Sequence, residues 1–149
     1  MRAVIQRVKR ASVTVDSNKV SEIGKGLLVL VGVSSEDTEA QAEKLADKIV
    51  KVRLWPDGDS QWKKSVTDIN GDVLCVSQFT SYGTIKKGTK PDFHAAAKGA
   101  EAQALYDKVK ESIGKKMNKQ PGDGVFGAMM DVESVNDGPV TIQYDTEKL

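Results

Sequence analysis

The chain has 149 residues, and its 22 Lys and Arg almost cancel its 21 Asp and Glu, leaving a formal net charge of +1. That balance excludes a uniformly basic nucleic-acid coat, so any contact with RNA has to come from local patches. One cysteine excludes an internal disulfide, and one Cys with one His excludes a structural zinc site.

The apolar and charged content fits a single ordinary globular domain spanning 1–149. Met1 to Arg7 carries no long apolar run and no cleavage-site pattern, and no stretch approaches the length of a membrane span. The expected setting is a reducing one, the cytoplasm, with no membrane partner.

Arg2 to Val8 alternates with a strand period: Val4, Gln6 and Val8 on one side, Ala3, Ile5 and Arg7 on the other. Ser12–Val15, Asp16–Lys19 and Val20–Ile23 read as a hairpin around a polar turn. Gly26 to Val33 is a continuous apolar run, the pattern of a strand covered on both faces. Thr38 and Gln41 form a capping-box pair. Ala42, Leu45, Ala46, Ile49 and Val52 then follow at helical spacing.

Pro56–Asp59 reads as a turn, and the polar stretch around Trp62-Lys63-Lys64 as loop. Val73–Val76 predicts a second buried strand that delivers Ser77 to Thr80 at its end. Gly83 to Pro91 is a loop rich in glycine and lysine. Asp92 is placed to cap a second helix whose apolar face is Ala102, Leu105, Val109 and Ile113. Lys115 to Gly124 reads as polar loop. Val125–Val132 and Val140–Tyr144 read as two closing strands joined across Asn136-Asp137-Gly138-Pro139. Both helices can lie on one face of a mixed sheet; extra strands or a second subunit would cover the other.

Conventional hydrolytic machinery is hard to find. Ser77 and Thr80 are hydroxyls at a strand end, suited either to local hydrogen bonding or to catalysis. A nucleophile needs a base, and nothing in the spacing aims His94, the sole histidine, at that strand end. Gln78 cannot act as a base, but its amide can orient a substrate or water. Glu36-Asp37 and Asp57/Asp59 read as turn and cap residues, so no metal site is expected, and no nucleotide-binding glycine pattern is present. Cys75, between Leu74 and Val76, reads as core. Gly138-Pro139 has two readings: a hairpin turn, or exposed carbonyls able to accept from an ammonium group. Lysines cluster at Lys63-Lys64, at Lys86-Lys87 with Lys90, and at Lys115-Lys116 with Lys119. Each reads as a solvated loop; the middle one neighbours the Ser77–Thr80 strand end and is placed to meet phosphates entering there.

Ser77-Gln78-Phe79-Thr80 and Asn136-Asp137-Gly138-Pro139-Val140-Thr141 resemble the two signature motifs of the D-aminoacyl-tRNA deacylases (the D-tyrosyl-tRNA deacylase family). The opening Met1–Val8, Ala11-Ser12-Val13, Lys87-Gly88-Thr89-Lys90-Pro91-Asp92-Phe93 and Gly124-Val125-Phe126-Gly127-Ala128-Met129-Met130 agree with that family in order and spacing. One departure is Ser81, where the family usually has leucine.

The resemblance implies an α/β fold: a single-domain three-layer β/β/α sandwich with mixed sheets and two main helices on one face. It implies a cofactor-free hydrolase that cleaves the ester of D-aminoacyl-tRNA, and of mischarged glycyl-tRNA, releasing amino acid and tRNA. Ser77, Gln78, Phe79 and Thr80 would form the catalytic segment, with an oxyanion-binding backbone N–H near Phe79. Gly138, Pro139, Phe126, Ala128 and Met129 would bind substrate, and Lys86, Lys87 and Lys90 would meet tRNA. A homodimer is implied, with a cis Gly138–Pro139 projecting into its partner's pocket. There the carbonyls would hold the substrate ammonium and exclude an L side chain. The 2′-hydroxyl of the terminal adenosine would assist hydrolysis. A Thr80-nucleophile esterase and a non-catalytic RNA-binding module are the competing readings.

Overall fold

The computed structural model describes residues 1–147. The first strand, β1 (Arg2–Val15), runs on to a tight turn, its inside–outside alternation broken by irregularities near Arg7 and Lys9. Asp16 and Ser17 both take positive φ, 49° and 66°. Positive φ at both central residues matches the right-handed twist of the strands they join. β2 (Asn18–Ile23) returns antiparallel, with Val15 opposite Asn18.

β3 (Gly26–Gly32) also pairs antiparallel with β1, from Arg2↔Gly32 to Val8↔Gly26. The next connection carries α1 (Glu39–Lys51). Its start is fixed by the expected cap: the Thr38 N–H donates to Gln41 Oε1 at 2.8 Å. β6 (Asp72–Ser77) then lies parallel to β3. Between them, β4 (Trp55–Asp57) and β5 (Ser60–Lys64) form a separate hairpin, so the segment around Trp62 is strand and not loop. Its polar composition hid this, because both faces of β5 are exposed or nearly so.

The second helix, α2 (Gly99–Met117), begins later and ends later than the residues predicted. Lys98, and not Asp92, occupies its N-cap position. Asp92 instead bridges to Thr84 across the glycine- and lysine-rich loop, and His94 lies in the loop beyond. Asn118 closes α2 in the left-handed conformation, an ordinary helix stop. A two-residue strand, β7 (Gly122–Asp123), pairs parallel with β6 inside the segment expected to be loop.

The last strand departs furthest from expectation. β8 (Asp131–Asp145) is one strand, not two joined by a turn, and 125–130 is irregular. It pairs with β1 along nearly its whole length, from Thr14↔Asp131 to Arg2↔Asp145. The chain therefore never reverses at Asn136–Pro139. Between Val8↔Asn136 and Gln6↔Thr141, residues 137–140 of β8 face the single residue Arg7. The turn-forming residues are absorbed as a wide bulge.

The main sheet has the order β2-β1-β3-β6-β7, with β8 on the other edge of β1. It is one continuous mixed sheet that curls on itself, since β2 packs back against β6 and β7. Its two faces carry two cores. Ala3, Ile5, Leu27, Val29, Val31, Val73 and Cys75 meet Leu45, Ile49, Val109 and Ile113 of the helices. Leu28, Leu74 and Val76 point the other way, onto Val8, Ala11, Val13 and Ile23. β1 serves both cores because irregularities near Arg7 and Lys9 shift which side chains point inward. The result is the expected three layers with both helices on one face.

The β3–β6 pairing tolerates no side chain at its start. A Cβ built on Gly26 would lie 1.8 Å from the Asp72 carbonyl oxygen, whereas one on Gly24 meets nothing within 4 Å. Gly26→Ala is therefore expected to lower unfolding free energy by about 1–3 kcal/mol or more. Gly24→Ala should stay within about 0.5 kcal/mol of the parent. Urea denaturation of both variants checks the contrast, and equal midpoints would contradict it.

Candidate active site

β3 and β6 end together, with Val31 opposite Ser77. There the Gln78 N–H donates to the Val31 carbonyl at 2.7 Å, carrying the sheet pattern one residue further. The chain then tightens into a 3₁₀ turn, Phe79–Tyr82. The first N–H groups of such a turn, those of Phe79 and Thr80, have no partner inside it.

Three contacts hold the turn down. The Ser81 N–H donates to the Gln78 carbonyl at 3.2 Å, and the Gly83 N–H to the Thr80 carbonyl at 2.9 Å. Arg2 Nη1 donates to the Ser81 carbonyl at 2.9 Å, while Arg2 Nε reaches Asp145 Oδ2 at 3.0 Å. The same guanidinium lies over the Tyr82 ring, 4.4 Å from its centre. One side chain thus ties the turn to the end of β8.

The turn forms one wall of a cavity of about 840 Å³. Ser77, Gln78, Phe79 and Thr80 all line it, and so do Phe126, Ala128 and Met129 from the irregular segment before β8. These seven predicted residues come together within the one chain. Phe79 stacks edge-on against Phe93, ring centres 5.2 Å apart. Phe126 is braced from behind by Tyr106, whose hydroxyl donates to Asp123 Oδ1. Lys110 pairs with the other oxygen of that carboxylate. Burial, then the neighbouring Cys75 and Asp123, push the Tyr106 phenol far above its ordinary pKa, so it stays a neutral donor.

Gly138, Pro139, Lys86, Lys87 and Lys90 are not on this wall. The Gly138–Pro139 peptide is cis, as the resemblance implies, and both residues are exposed. Gly138 has φ 127°, a conformation closed to most side chains. The bulge is fixed from both sides. Arg7 Nε donates to the Asp137 carbonyl at 3.2 Å, and the Val140 N–H donates to Asn136 Oδ1 at 3.1 Å. The three lysines sit on the exposed loop beyond the turn.

The wall also contains residues that sequence reasoning did not assign to the site: Gln6, Leu30, Ala96, Lys98 and Ser134. They come from four separate segments: Gln6, Leu30 and Ser134 from the sheet, and Ala96 and Lys98 from a loop whose Ala97 N–H donates to the Val33 carbonyl at 2.8 Å. Phe93 had a visible signal, its place in the Lys-Gly-x-x-Pro-x-Phe motif. Among the described residues the wall includes no His, Asp, Glu or Cys, and Lys98 is its one ionisable side chain. His94 is exposed and pairs with Asp92. No group of three or more metal-ligating side chains occurs among the described residues, and no helix there is long and apolar enough to cross a membrane.

The comparisons with known proteins fall on this geometry. The family model described as D-Tyr-tRNA(Tyr) deacylase matches residues 4–145, and the chain belongs to that family. A D-aminoacyl-tRNA deacylase of Yarrowia lipolytica is 61% identical, the match covering 99% of this chain and 98% of that one. One of Schizosaccharomyces pombe is 49% identical over 99% of this chain and all of its own. Among solved structures, a c-Myc DNA unwinding element binding protein superimposes with a TM-score of 0.91 at 45% identity, covering 97% of this chain and 98% of that one. A protein described as a probable eukaryotic D-amino acid tRNA deacylase gives a TM-score of 0.84, covering 96% and 97%; at 17% identity it speaks for the fold alone.

Two outcomes follow from the site's geometry. A Cβ on Gly32 would lie 2.8 Å from Ser81 Cβ and 3.1 Å from the Gln78 carbonyl oxygen. Gly32→Ala should therefore lift the turn and slow hydrolysis by about 10²-fold, the scale of a small misplacement of reacting groups. Single-turnover kinetics on the folded variant reads this. Cys75 is buried, and burial pushes its thiol up to about 12. It should resist a disulfide reagent at pH 8 until urea unfolds the protein. Because the folded state raises this pKa, its stabilising effect is full below the ordinary thiol range and is lost as pH rises toward about 12.

Proposed function

We propose that this enzyme, a D-aminoacyl-tRNA deacylase by family, removes D-amino acids from tRNA by positioning the ester and letting the RNA supply the missing chemistry. One observation carries the reading. The wall that holds Ser77–Thr80 offers no carboxylate, imidazole or thiol. Lys98 is exposed, and a lysine serves as a base only where it is stripped of solvent. Thr80 therefore lacks an activating partner, which favours a positioning role for it.

In this mechanism the 2′-hydroxyl of the terminal adenosine assists attack on the ester carbonyl. The N–H groups at the start of the 3₁₀ turn, that of Phe79 first, donate hydrogen bonds to the developing oxyanion. Ser77 and Gln78 orient the sugar and the ester. An aminoacyl ester is intrinsically labile, so modest stabilisation of the transition state suffices.

Chirality is enforced by a second copy of the chain. Gly138 and Pro139 are exposed and lie off the wall of their own cavity. Phe79, Val125, Met129, Val132 and Ile142 are exposed apolar side chains, an arrangement suited to coverage by another protomer. The inserted carbonyls hold the substrate ammonium and occupy the direction an L side chain would take. Glycine, lacking a side chain, passes the same filter. The protein acts as a cytoplasmic homodimer, and Lys86, Lys87 and Lys90 meet phosphates near the 3′ end.

Three substrates test this: D-aminoacyl-tRNA, L-aminoacyl-tRNA, and D-aminoacyl-tRNA ending in 2′-deoxyadenosine with its amino acid on the 3′ oxygen. Rapid cleavage of the first alone is expected. Equal cleavage of the first and third would overturn assistance by the RNA. Thr80→Ala should slow cleavage of the first by no more than about tenfold, since loss of a true nucleophile costs far more.

A further inference from the structure

Far from the cavity, the ends of both helices and the β4–β5 hairpin enclose a second depression of about 750 Å³. Lys51, Arg53, Lys63 and Lys116 line it, against the carboxylates of Asp47 and Asp68. On a chain of net charge +1 this is a local concentration of positive charge. Asp47 is already paired with lysines, while Asp68 is capped by a backbone N–H and keeps its charge close enough to Arg53 for the two to interact. Asp47 pairs with Lys51 at 2.8 Å and with Lys116 at 3.7 Å, and Asp68 Oδ2 accepts from the Ser65 N–H at 2.9 Å. Arg53 and Lys63 have no carboxylate partner within 4.0 Å among the described residues, so both remain available to an anion.

A second observation is independent of charge. Trp62, beside Lys63, is 53% exposed and holds φ at 60°. A bulky residue in the left-handed region is a conformational outlier, and exposing an indole gains nothing for the core. The other tryptophan, Trp55, is buried in the same hairpin. Trp62 adjoins Lys63 in β5 without itself lining the depression; an exposed aromatic ring on the same short strand as a free cation is a combination that holds nucleic acid, with phosphates on the cations and a base or sugar on the ring.

We propose that Trp62, Arg53 and Lys63 form a second contact for the tRNA substrate, binding phosphodiester groups of its body while the 3′ end occupies the cavity. This rests on the deacylase reading. The spacing suits it. β3 and β6 run from the Gly26↔Asp72 pair to the Ser77–Thr80 turn at about 3.3 Å per residue, so the patch, at the Asp72 end, lies on the order of 20 Å from that turn. Phosphates along a duplex strand repeat about every 3.4 Å, so an arm of a few base pairs covers the gap. The site adds affinity without touching the chemistry.

The test compares full-length D-aminoacyl-tRNA with a D-aminoacyl ester of a 3′-terminal trinucleotide, which is too short to reach the patch. Arg53→Ala with Lys63→Ala should raise KM for the full substrate about tenfold and reduce the salt slope of its binding by about 2. kcat for the full substrate, and kcat/KM for the trinucleotide ester, should not change. Arg53→Lys with Lys63→Arg should keep the salt slope. Uncharged tRNA should quench fluorescence of the parent protein, and Trp62→Phe should remove that response. Equal losses on both substrates, or no loss on either, would overturn the proposal. So would inorganic phosphate protecting the patch while tRNA binding ignores the substitutions; the site would then serve a free phosphate. If no ester is cleaved, the deacylase reading fails, and the fluorescence titration still decides the patch.

Discussion

The parallel pairing of β3 with β6 is the constraint on which the site depends. It brings Val31 level with Ser77 and lets the Gln78 N–H close one further bond to the Val31 carbonyl at 2.7 Å. In the proposed mechanism the chemistry falls in the next few residues. Two glycines make this possible: Gly26 admits the pairing where the strands begin, and Gly32 admits the turn just past their end, each with no room for a Cβ. The helices contribute by burying the other side of these strands, through Leu45, Ile49, Val109 and Ile113. The core fixes the sheet, the sheet fixes the turn, and in the proposed mechanism the turn's backbone N–H groups meet the ester.

That chain of support explains how an enzyme can work with so few reactive side chains. A site built from main-chain dipoles needs rigidity more than it needs titratable groups, because misaimed donors stabilise nothing. The surroundings of the turn meet that need. Arg2 ties Ser81 to Asp145, and Phe93 packs on Phe79. The Tyr106–Asp123–Lys110 network backs Phe126. Burial lifts Tyr82 well above its ordinary pKa, so its ring stays neutral beneath the Arg2 guanidinium. In the proposed mechanism the discriminating element is also main chain, at Gly138 and Pro139. Handedness can be sensed by position alone, with no pocket matched to any particular side chain. Such a filter suits an editor of many amino acids.

Much of this was legible from local pattern. The apolar runs of β3 and β6, the capping box of α1 and the apolar spacing of α2 each state their structure within a few residues. The cavity wall at Ser77–Thr80, Phe126, Ala128 and Met129 was legible through motif order. What misled was local chemistry overruled by distant pairing. Asn136-Asp137-Gly138 reads as a hairpin turn, but β1 continues alongside and holds it as a bulge. Asp92 reads as a helix cap, but its backbone pairs with Thr84. The β5 strand around Trp62 has no buried face to betray it. Gln6 and Ser134 reach the cavity through the β1–β8 part of the sheet, and Lys98 through a loop bonded to Val33, and no short window of sequence contains those long-range pairings.

The claim that substrate and main chain share the catalytic work is tested most directly by a crystal structure with a non-hydrolysable, 3′-amide-linked D-aminoacyl-adenosine. The expected complex has the ligand's ammonium on the carbonyls of Gly138 and Pro139 from a second protomer. Its carbonyl oxygen should face the N–H groups of Phe79 and Thr80, with the ribose 2′-hydroxyl as the nearest acid–base group. A complex held by one protomer alone, or one with Thr80 Oγ1 on the carbonyl carbon and a titratable side chain behind it, would contradict the account.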